Sequence, residues 1–366
     1  MLWDIFCRVI DNHGDLGVCW RLSANLASRG HTIRLWVDEP SALAWMAPEA
    51  QAQADGHMHL SLQNGHIEVR PWDDTLAPDA AMSNVWVEAF GCELPAHFLS
   101  WAQQAAPESG QVSVPVWVNL EYLSAESYVE RSHKLPSPVM SGPLKGRTKW
   151  FFYPGFTAQT GGLIREIELD ASIRTNASQA FGALSAKPHS SKTTLFCYAP
   201  EALTEALQLS TLNAEDHEWQ IAHGRGARAF DAALNLLPKH GLSPRFRKVP
   251  PLPQAQFDQL LHSSDLNFVR GEDSLVRALW AGKAFIWHIY PQEDGAHGPK
   301  LNAFLDWLQA PQSLRQFHLR WNGLSTNPLP QIDLPAWQAC VHAARQALLA
   351  QTDLVSQLLQ FVAEKR

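Results

Sequence analysis

The sequence predicts a two-domain α/β protein, each half a parallel sheet flanked by helices. Three observations carry this. The chain has 366 residues with 46% hydrophobic content, more than one ordinary core needs and enough for two. Short apolar runs alternate with stretches of helical spacing, the signature of βα units. That rhythm stops in small and polar residues at 170–194 and then restarts, which reads as an interdomain linker.

The first half opens with an apolar run rich in β-formers at 3–10, read as a strand. It gives way to Asp11-Asn12-His13-Gly14-Asp15-Leu16-Gly17. Val18, Leu22 and Leu26, at i, i+4 and i+8, mark a helix that stops at Arg29-Gly30, and 32–37 is the next strand. This βαβ unit implies a parallel sheet, whose ligands bind at the carboxyl ends of strands, where residues 11–17 fall. The glycine spacing is Gly-x-x-Gly, so no dinucleotide fingerprint is read here. Further strand-like runs lie at 67–70, 85–87, 116–118 and 149–153. Three of them run into polar or glycine-containing turns, at 88–95, 119–122 and 154–155, which would share the same rim. Residues 137–147, rich in Pro and Gly, read as a loop.

Beyond the linker, 194–198, 219–223 and 245–249 read as strands, and 201–209, 227–237 and 254–261 as helices. The most informative stretch is 266–304. An apolar run at 266–269 leads into Arg270-Gly271-Glu272-Asp273-Ser274, then a helix with Leu275, Leu279 and Trp280 on one side. Gly282 stops that helix, and 284–289 is the next strand. A strand, a glycine turn and a helix N-terminus make an anion site, because the first N–H groups of the helix point outward. Gly271 lets the backbone approach a ligand, and Ser274 or Asp273 can cap the helix. The same layout holds the nucleotide diphosphate in the C-terminal domain of GT-B nucleotide-sugar transferases; an ordinary βαβ turn is the plainer reading. Residues 334–362 read as helical, with Leu348, Leu349 and Leu354 among the apolar positions. Two βα-alternating halves suggest a ligand cleft between them.

The totals exclude several classes. A net charge of −7 argues against nucleic acid or an anionic membrane as partner and tolerates a basic partner or a cationic substrate group. The five cysteines, Cys7, Cys19, Cys92, Cys197 and Cys340, are odd in number and never in CxxC spacing. Neither a zinc site nor a disulfide framework is expected. The first apolar run carries Asp4 and Arg8, unlike a signal peptide, and no apolar run approaches a membrane span. A cytoplasmic protein is expected. No HExxH, GxSxG or acidic metal loop in convincing context occurs, so no metal is expected.

Several residues bear chemistry. Asp11 and Asp15 sit four apart around a glycine turn, either as a helix cap plus a solvated charge or as reacting carboxylates. His13 between them reads as a solvated loop histidine. Glu272 and Asp273 either decorate a helix dipole or bond sugar hydroxyls or a cation. Tyr198 and Phe257 either stack on a nucleobase or pack in the core. Gln254, following Pro250-Pro251-Leu252-Pro253, has the donors and acceptors to read a base edge. His288, Tyr290 and Gln292 follow a strand end and face the same cleft. His223-Gly224-Arg225-Gly226 also follows a strand.

The motifs WDIFCRVIDNHGDLGVCWRL at 3–22 and DLNFVRGEDS at 265–274, WAGK at 280–283 and WHIYPQE at 287–293, with Val37-Asp38 and LFCY at 195–198, are specific. On them the sequence resembles the bacterial elongation factor P arginine rhamnosyltransferases over nearly its whole length. The resemblance implies a GT-B fold, two Rossmann-like domains facing a central cleft. It puts an acceptor-binding domain at 1–180 and a TDP-sugar-binding domain at 190–345, with a C-terminal helix at about 345–366 packing back on the first. It implies an inverting, metal-independent enzyme with no cofactor, moving rhamnose from TDP-β-L-rhamnose to one arginine in the N-terminal domain of elongation factor P. That modification supports rescue of ribosomes stalled at polyproline.

By motif, Asp15 is expected as general base and Glu272 as a second catalytic carboxylate. Asn12, His13, Gly14, Arg270, Gly271, Asp273 and Ser274 fall at donor-binding positions; Tyr198, Gln254 and Phe257 fall where the thymidine part is held; Asp11 falls on the acceptor side. His13 stands where the family usually has Phe or Tyr, which touches only a local stacking contact. Independently, a site lined by Asp11, Asp15, Glu272 and Asp273 suits a planar cation such as arginine. Two other readings stay open: a GT-B transferase acting on a small molecule or glycan, and a non-catalytic nucleotide-sugar-binding regulator.

Overall fold

The apolar runs become parallel strands in two separate sheets of a computed structural model that describes residues 1–10, 13–54, 56–105, 115–167, 169, 191–238, 244–292 and 295–366. Asp11 and Asn12 lie outside the described residues, as does most of the 170–194 linker. The chain divides into two units, Met1–Ile167 with Gln351–Arg366, and Glu168–Ala350.

The first unit is built on nine strands in the order Gln51–Ala52, Met58–Ser61, His66–Pro71, Thr32–Val37, Leu2–Cys7, Val85–Ala89, Val116–Leu120, Thr148–Phe152, Pro136–Pro138. Neighbours from His66–Pro71 through Thr148–Phe152 run parallel. The pieces beyond them at either edge are antiparallel. Pro136–Pro138 falls where the sequence reads as loop, and prolines pair only at such an edge. Val85–Ala89 and Val116–Leu120 are buried throughout, as strands covered on both faces must be. Asp4 is a buried charge among these strands. Asp4 accepts from Arg34 Nε and Nη2, both at 2.7 Å, and from Trp36 Nε1 at 2.8 Å. A carboxylate with no solvent contact is tolerable only when paired and bonded in this way.

The stretch read as helical over 334–362 is two helices, Leu334–Leu349 and Leu354–Lys365. Asp353 makes the break: its carboxylate accepts from Ser356 N–H at 3.0 Å, starting a new helix, and takes Arg29 Nη2 at 2.8 Å. The second of these helices packs Leu354, Val355, Leu358, Phe361 and Val362 into the core beneath Leu2–Cys7 and Gly14–Ser28, each such side chain worth about 1.5–3 kcal/mol. Gly162 makes room for the return of the chain, since a Cβ there would meet the carbonyl oxygen of Thr352 at 2.6 Å.

The second unit has five strands, all parallel, in the order Arg245–Val249, Glu218–Ala222, Lys192–Leu195, Leu266–Arg270, Ala284–His288. This is a doubly wound α/β sheet. Phe268 at its centre packs on Trp219 and Trp321, with centroids 5.8 and 4.5 Å away. The helix expected over 201–209 contracts to Leu203–Ala206. The outer edge of Ala284–His288 is closed by side chains from Gln312–Trp321 and the residue after it. Trp287 N–H donates to His318 Nε2 at 3.0 Å, and Ile289 N–H to Asn322 Oδ1 at 2.9 Å, which blunts an otherwise open strand edge.

Candidate active site

In both units the strand order reverses beside the first strand, between Leu2–Cys7 and Val85–Ala89 and between Lys192–Leu195 and Leu266–Arg270. Ligands of doubly wound sheets bind outside the carboxyl ends at such points, and the sequence-derived residues collect there.

In the second unit Leu266–Arg270 ends in Gly271, whose φ of 62° lies in the region that only glycine enters without strain. Gly271–Ala281 follows directly as a helix. Ser274 folds back: its hydroxyl accepts from the Arg270 N–H at 3.0 Å and donates to the Arg270 carbonyl oxygen. Ser274 therefore staples the turn together. Trp287 Nε1 holds the Gly271 carbonyl from behind at 2.8 Å. At the far end Gly282, φ 66°, closes the helix, and Arg345 Nη1 donates to the carbonyls of Trp280 and Ala281 at 3.2 and 3.3 Å. A cation at the C-terminus complements the helix dipole.

Arg270 is drawn over two rings, its Cζ lying 4.6 Å from the centroid of Phe196 and 4.9 Å from that of Tyr198. Phe257 completes the cluster, edge-on to Phe196 at 5.2 Å. Its helix, Gln254–Ser263, starts after Pro253 with Gln254 as first residue. Asp258 in that helix ties it to the glycine-turn helix, accepting from Arg277 Nε and Nη2 at 3.0 and 2.7 Å. Tyr198 is buried and edge-on to His288 and Tyr290, at 5.1 and 5.6 Å. Burial first, and then the charge of Arg270, push His288 down to about 3, so its imidazole is neutral at physiological pH. Its Nδ1 is buried without a hydrogen-bond partner among the described residues. Glu272 accepts from Lys300 Nζ at 2.8 Å, which offsets an acid in a turn otherwise fit for an anion. Asp273 stands beside it, half-buried in the first helical turn.

In the first unit Asp15 is the second residue of Gly14–Ser28 and only 6% exposed. Its Oδ2 accepts from Ile10 N–H at 2.9 Å, and Asp38 Oδ1 accepts from the adjacent Val9 N–H at 2.9 Å. Two carboxylates thus tie down the loop after the first strand. Beneath them the Cys7 thiol is raised well above its usual range by its hydrogen bond with the free thiol of Cys19, by burial and by the charges of Asp15 and Asp38, so it is a thiol and not a nucleophile. His13 packs edge-on against Trp45 at 5.9 Å.

The neighbouring turns carry further acids. Glu88 is 1% exposed and fully engaged by Lys149 Nζ at 3.0 and 3.1 Å, Trp117 Nε1 at 3.1 Å and Glu93 N–H at 3.2 Å. Its role is structural. Glu121 is pushed above the usual carboxylate range by burial, against the lowering effect of its bond from Asn119. Phe90 and Glu93 hold positive φ of 57° and 53°, strain that clusters at functional rims; Phe90 stacks on Tyr122 at 4.7 Å.

Tyr198, Phe257, Arg270, Gly271 and Ser274 thus share one end of the second sheet, and His13, Gly14 and Asp15 one end of the first. Phe196, Lys300 and Asp38 were not singled out as site residues. Phe196 follows Lys192–Leu195 as Tyr198 does, and its signals in the sequence are that position and the motif at 195–198.

The sequence matches the model of a family described as Elongation-Factor P (EF-P) rhamnosyltransferase EarP over residues 3–363. It is 37% identical to a protein-arginine rhamnosyltransferase of Pseudomonas aeruginosa over 390 aligned positions, covering 99% of both chains. It is 40% identical to one of Pseudomonas putida over 319 positions, covering 83% of this chain and 80% of the other. A solved structure described as the structural basis for EarP-mediated arginine glycosylation of translation elongation factor EF-P superposes with a TM-score of 0.59 at 26% identity, covering 99% of each chain. The fold is of the GT-B class. Among the described residues no helix is long and apolar enough to cross a membrane.

Proposed function

The chain belongs to the EF-P rhamnosyltransferase EarP family, and on that premise we propose that it transfers rhamnose from TDP-β-L-rhamnose to an arginine of elongation factor P, inverting the anomeric carbon. It is a glycosyltransferase, a protein-arginine rhamnosyltransferase. The observation that best supports the donor class is Arg270 over Phe196 and Tyr198 at the glycine turn that opens Gly271–Ala281. Aromatic faces suit a base; a guanidinium and outward helix N–H groups suit the diphosphate attached to it.

In the proposed step a guanidinium nitrogen attacks the anomeric carbon. The new C–N bond forms as the bond to the phosphate oxygen breaks, and TDP leaves with the electron pair. Free guanidinium, with a pKa above about 12, is too weak an acid for a carboxylate to deprotonate beforehand. The nitrogen becomes acidic as the C–N bond forms, and its proton passes late to Asp15. Glu272, held by Lys300, is assigned to the sugar and the second carboxylate role. Asp273 and Gln254 are assigned to the donor, Gln254 to its base edge. Asp11 is assigned to the acceptor and Asn12 to the donor, both outside the described residues. Arg270 and the helix N–H groups neutralise the leaving diphosphate, so no metal and no cofactor enter the step. With a translation factor as acceptor, the protein works in the cytoplasm.

The test is to incubate the protein with TDP-rhamnose and elongation factor P and read the intact mass of the factor. A gain of one rhamnosyl group with stoichiometric TDP release is expected. Bound donor without transfer would make the chain a regulator, and transfer from another TDP-sugar alone would overturn the donor assignment.

A further inference from the structure

We propose that the outer hairpin of the first unit binds a divalent transition-metal ion of the zinc class on His57, His59 and Glu68. The inference does not rest on the transferase reading. Met58–Ser61 and His66–Pro71 pair antiparallel, with His59 directly opposite Glu68. His57 precedes His59 by two residues and so shares its face, since side chains alternate along a strand. One ligand atom from each of the three residues lies within 4.8 Å of the others. His57 Nδ1 is 3.2 Å from Glu68 Oε1, close to the separation of two ligands held at about 2.0–2.2 Å by one tetrahedral ion.

Each of the three also has a further polar partner, which for Glu68 meets the same Oε1 that faces His57. His57 Nε2 lies 3.2 Å from Asp74 Oδ2, His59 Nδ1 lies 3.1 Å from His66 Nε2, and Arg70 Nη2 lies 2.8 Å from Glu68 Oε1. A carboxylate on the far nitrogen of an imidazole is what fixes ring orientation in metal centres. A carboxylate oxygen has the lone pairs to serve both Arg70 and an ion. Three protein ligands leave a fourth position for water. The ion would clip the outer strands of the sheet on their polar face, a structural and not a catalytic duty.

Without metal the same groups rest on one another, His57 lying 3.2 Å from an oxygen of Glu68 and 3.2 Å from one of Asp74. Zinc uptake separates the two arrangements. The full chain, stripped with EDTA and desalted, is titrated with zinc chloride at neutral pH by calorimetry, with circular dichroism as the check on folding. One zinc per chain is expected, weakened at least about tenfold by His59→Ala and by the isosteric Glu68→Gln, and by a similar factor in Asp74→Asn. Cobalt in place of zinc should give the visible absorption of a four-coordinate site, absent in His59→Ala. No zinc uptake by the unmodified chain, or uptake unchanged in both His59→Ala and Glu68→Gln, would overturn the proposal.

Discussion

The guanidinium of Arg270 lies 4.9 Å from the ring centroid of Tyr198, although 71 positions of sequence separate them (270 − 198 = 72, less one). Tyr198 follows Lys192–Leu195, which neighbours the strand that ends in Arg270, so the reversal of strand order brings them together. Removing the guanidinium takes away a charged donor at the phosphate turn. Arg270→Ala is expected to weaken TDP binding by about 1.5–3 kcal/mol, and Arg270→Lys by less, because it keeps the charge but loses the plane. Phe257→Ala should cost about 1–3 kcal/mol if the ring meets the base. Calorimetry with TDP decides; unchanged affinity in all three would move the nucleotide elsewhere.

Asp15→Asn is informative because the amide oxygen can still accept from Ile10 N–H and hold the loop. Folding and TDP-rhamnose affinity should stay near normal while single-turnover transfer falls at least about 100-fold. Glu272→Gln should also slow transfer and weaken donor binding more, since it loosens the bond to Lys300. Transfer by Asp15→Asn at the normal rate would reduce Asp15 to a loop anchor.

Activity should persist in excess EDTA, because backbone N–H groups and Arg270 are assigned the diphosphate. Loss of turnover in EDTA, restored by magnesium, would contradict this. Any zinc on the His57 hairpin would be removed in the same experiment, so persistence also separates that hairpin from catalysis.

Asp4→Ala leaves Arg34 buried beside an empty position and Trp36 Nε1 without its acceptor. A loss of about 3–5 kcal/mol is expected, read from the urea midpoint at constant slope. A change within the range of an exposed pair, below about 1 kcal/mol, would show that water reaches the site.

His318 accepts from Trp287 N–H through Nε2, so its proton sits on Nδ1, facing the Leu314 carbonyl at 2.9 Å. Burial pushes it from 6.5 down to about 4. Between those values the unfolded chain binds a proton that the folded chain refuses. Stability is therefore lost as pH falls through that window, by up to about 1.4 kcal/mol per pH unit. His288 acts in the same sense, down to about 3. Measured as urea midpoints, the stability gap between the native chain and His318→Gln should narrow from pH 7 to pH 4. A constant gap would place the charge elsewhere.

Buried parallel strands were legible because they are nearly continuous apolar runs, and the turn at Gly271 because glycine punctuates it. The hairpin strand Met58–Ser61 was not, since its histidine-bearing pattern resembles a solvated loop. The break at Asp353 was hidden inside an uninterrupted helical spacing. Ser274 read as a ligand residue or a cap, and its bonding to the backbone of Arg270 depends on a rotamer that sequence does not encode. Lys300 reaches Glu272 from 28 positions away, and only the fold makes that pair.

The helix Leu354–Lys365 belongs to the first unit, yet the chain reaches it only after making the whole of the second. On the ribosome, the surface that Leu358 and Phe361 will cover must wait uncovered through the synthesis of some 180 residues (350 − 168 + 1 = 183). A vectorial, unit-by-unit folding order is thereby ruled out for the final packed state. The first unit is begun first and finished last, and a nascent chain halted before residue 354 carries an open apolar face for chaperones to recognise.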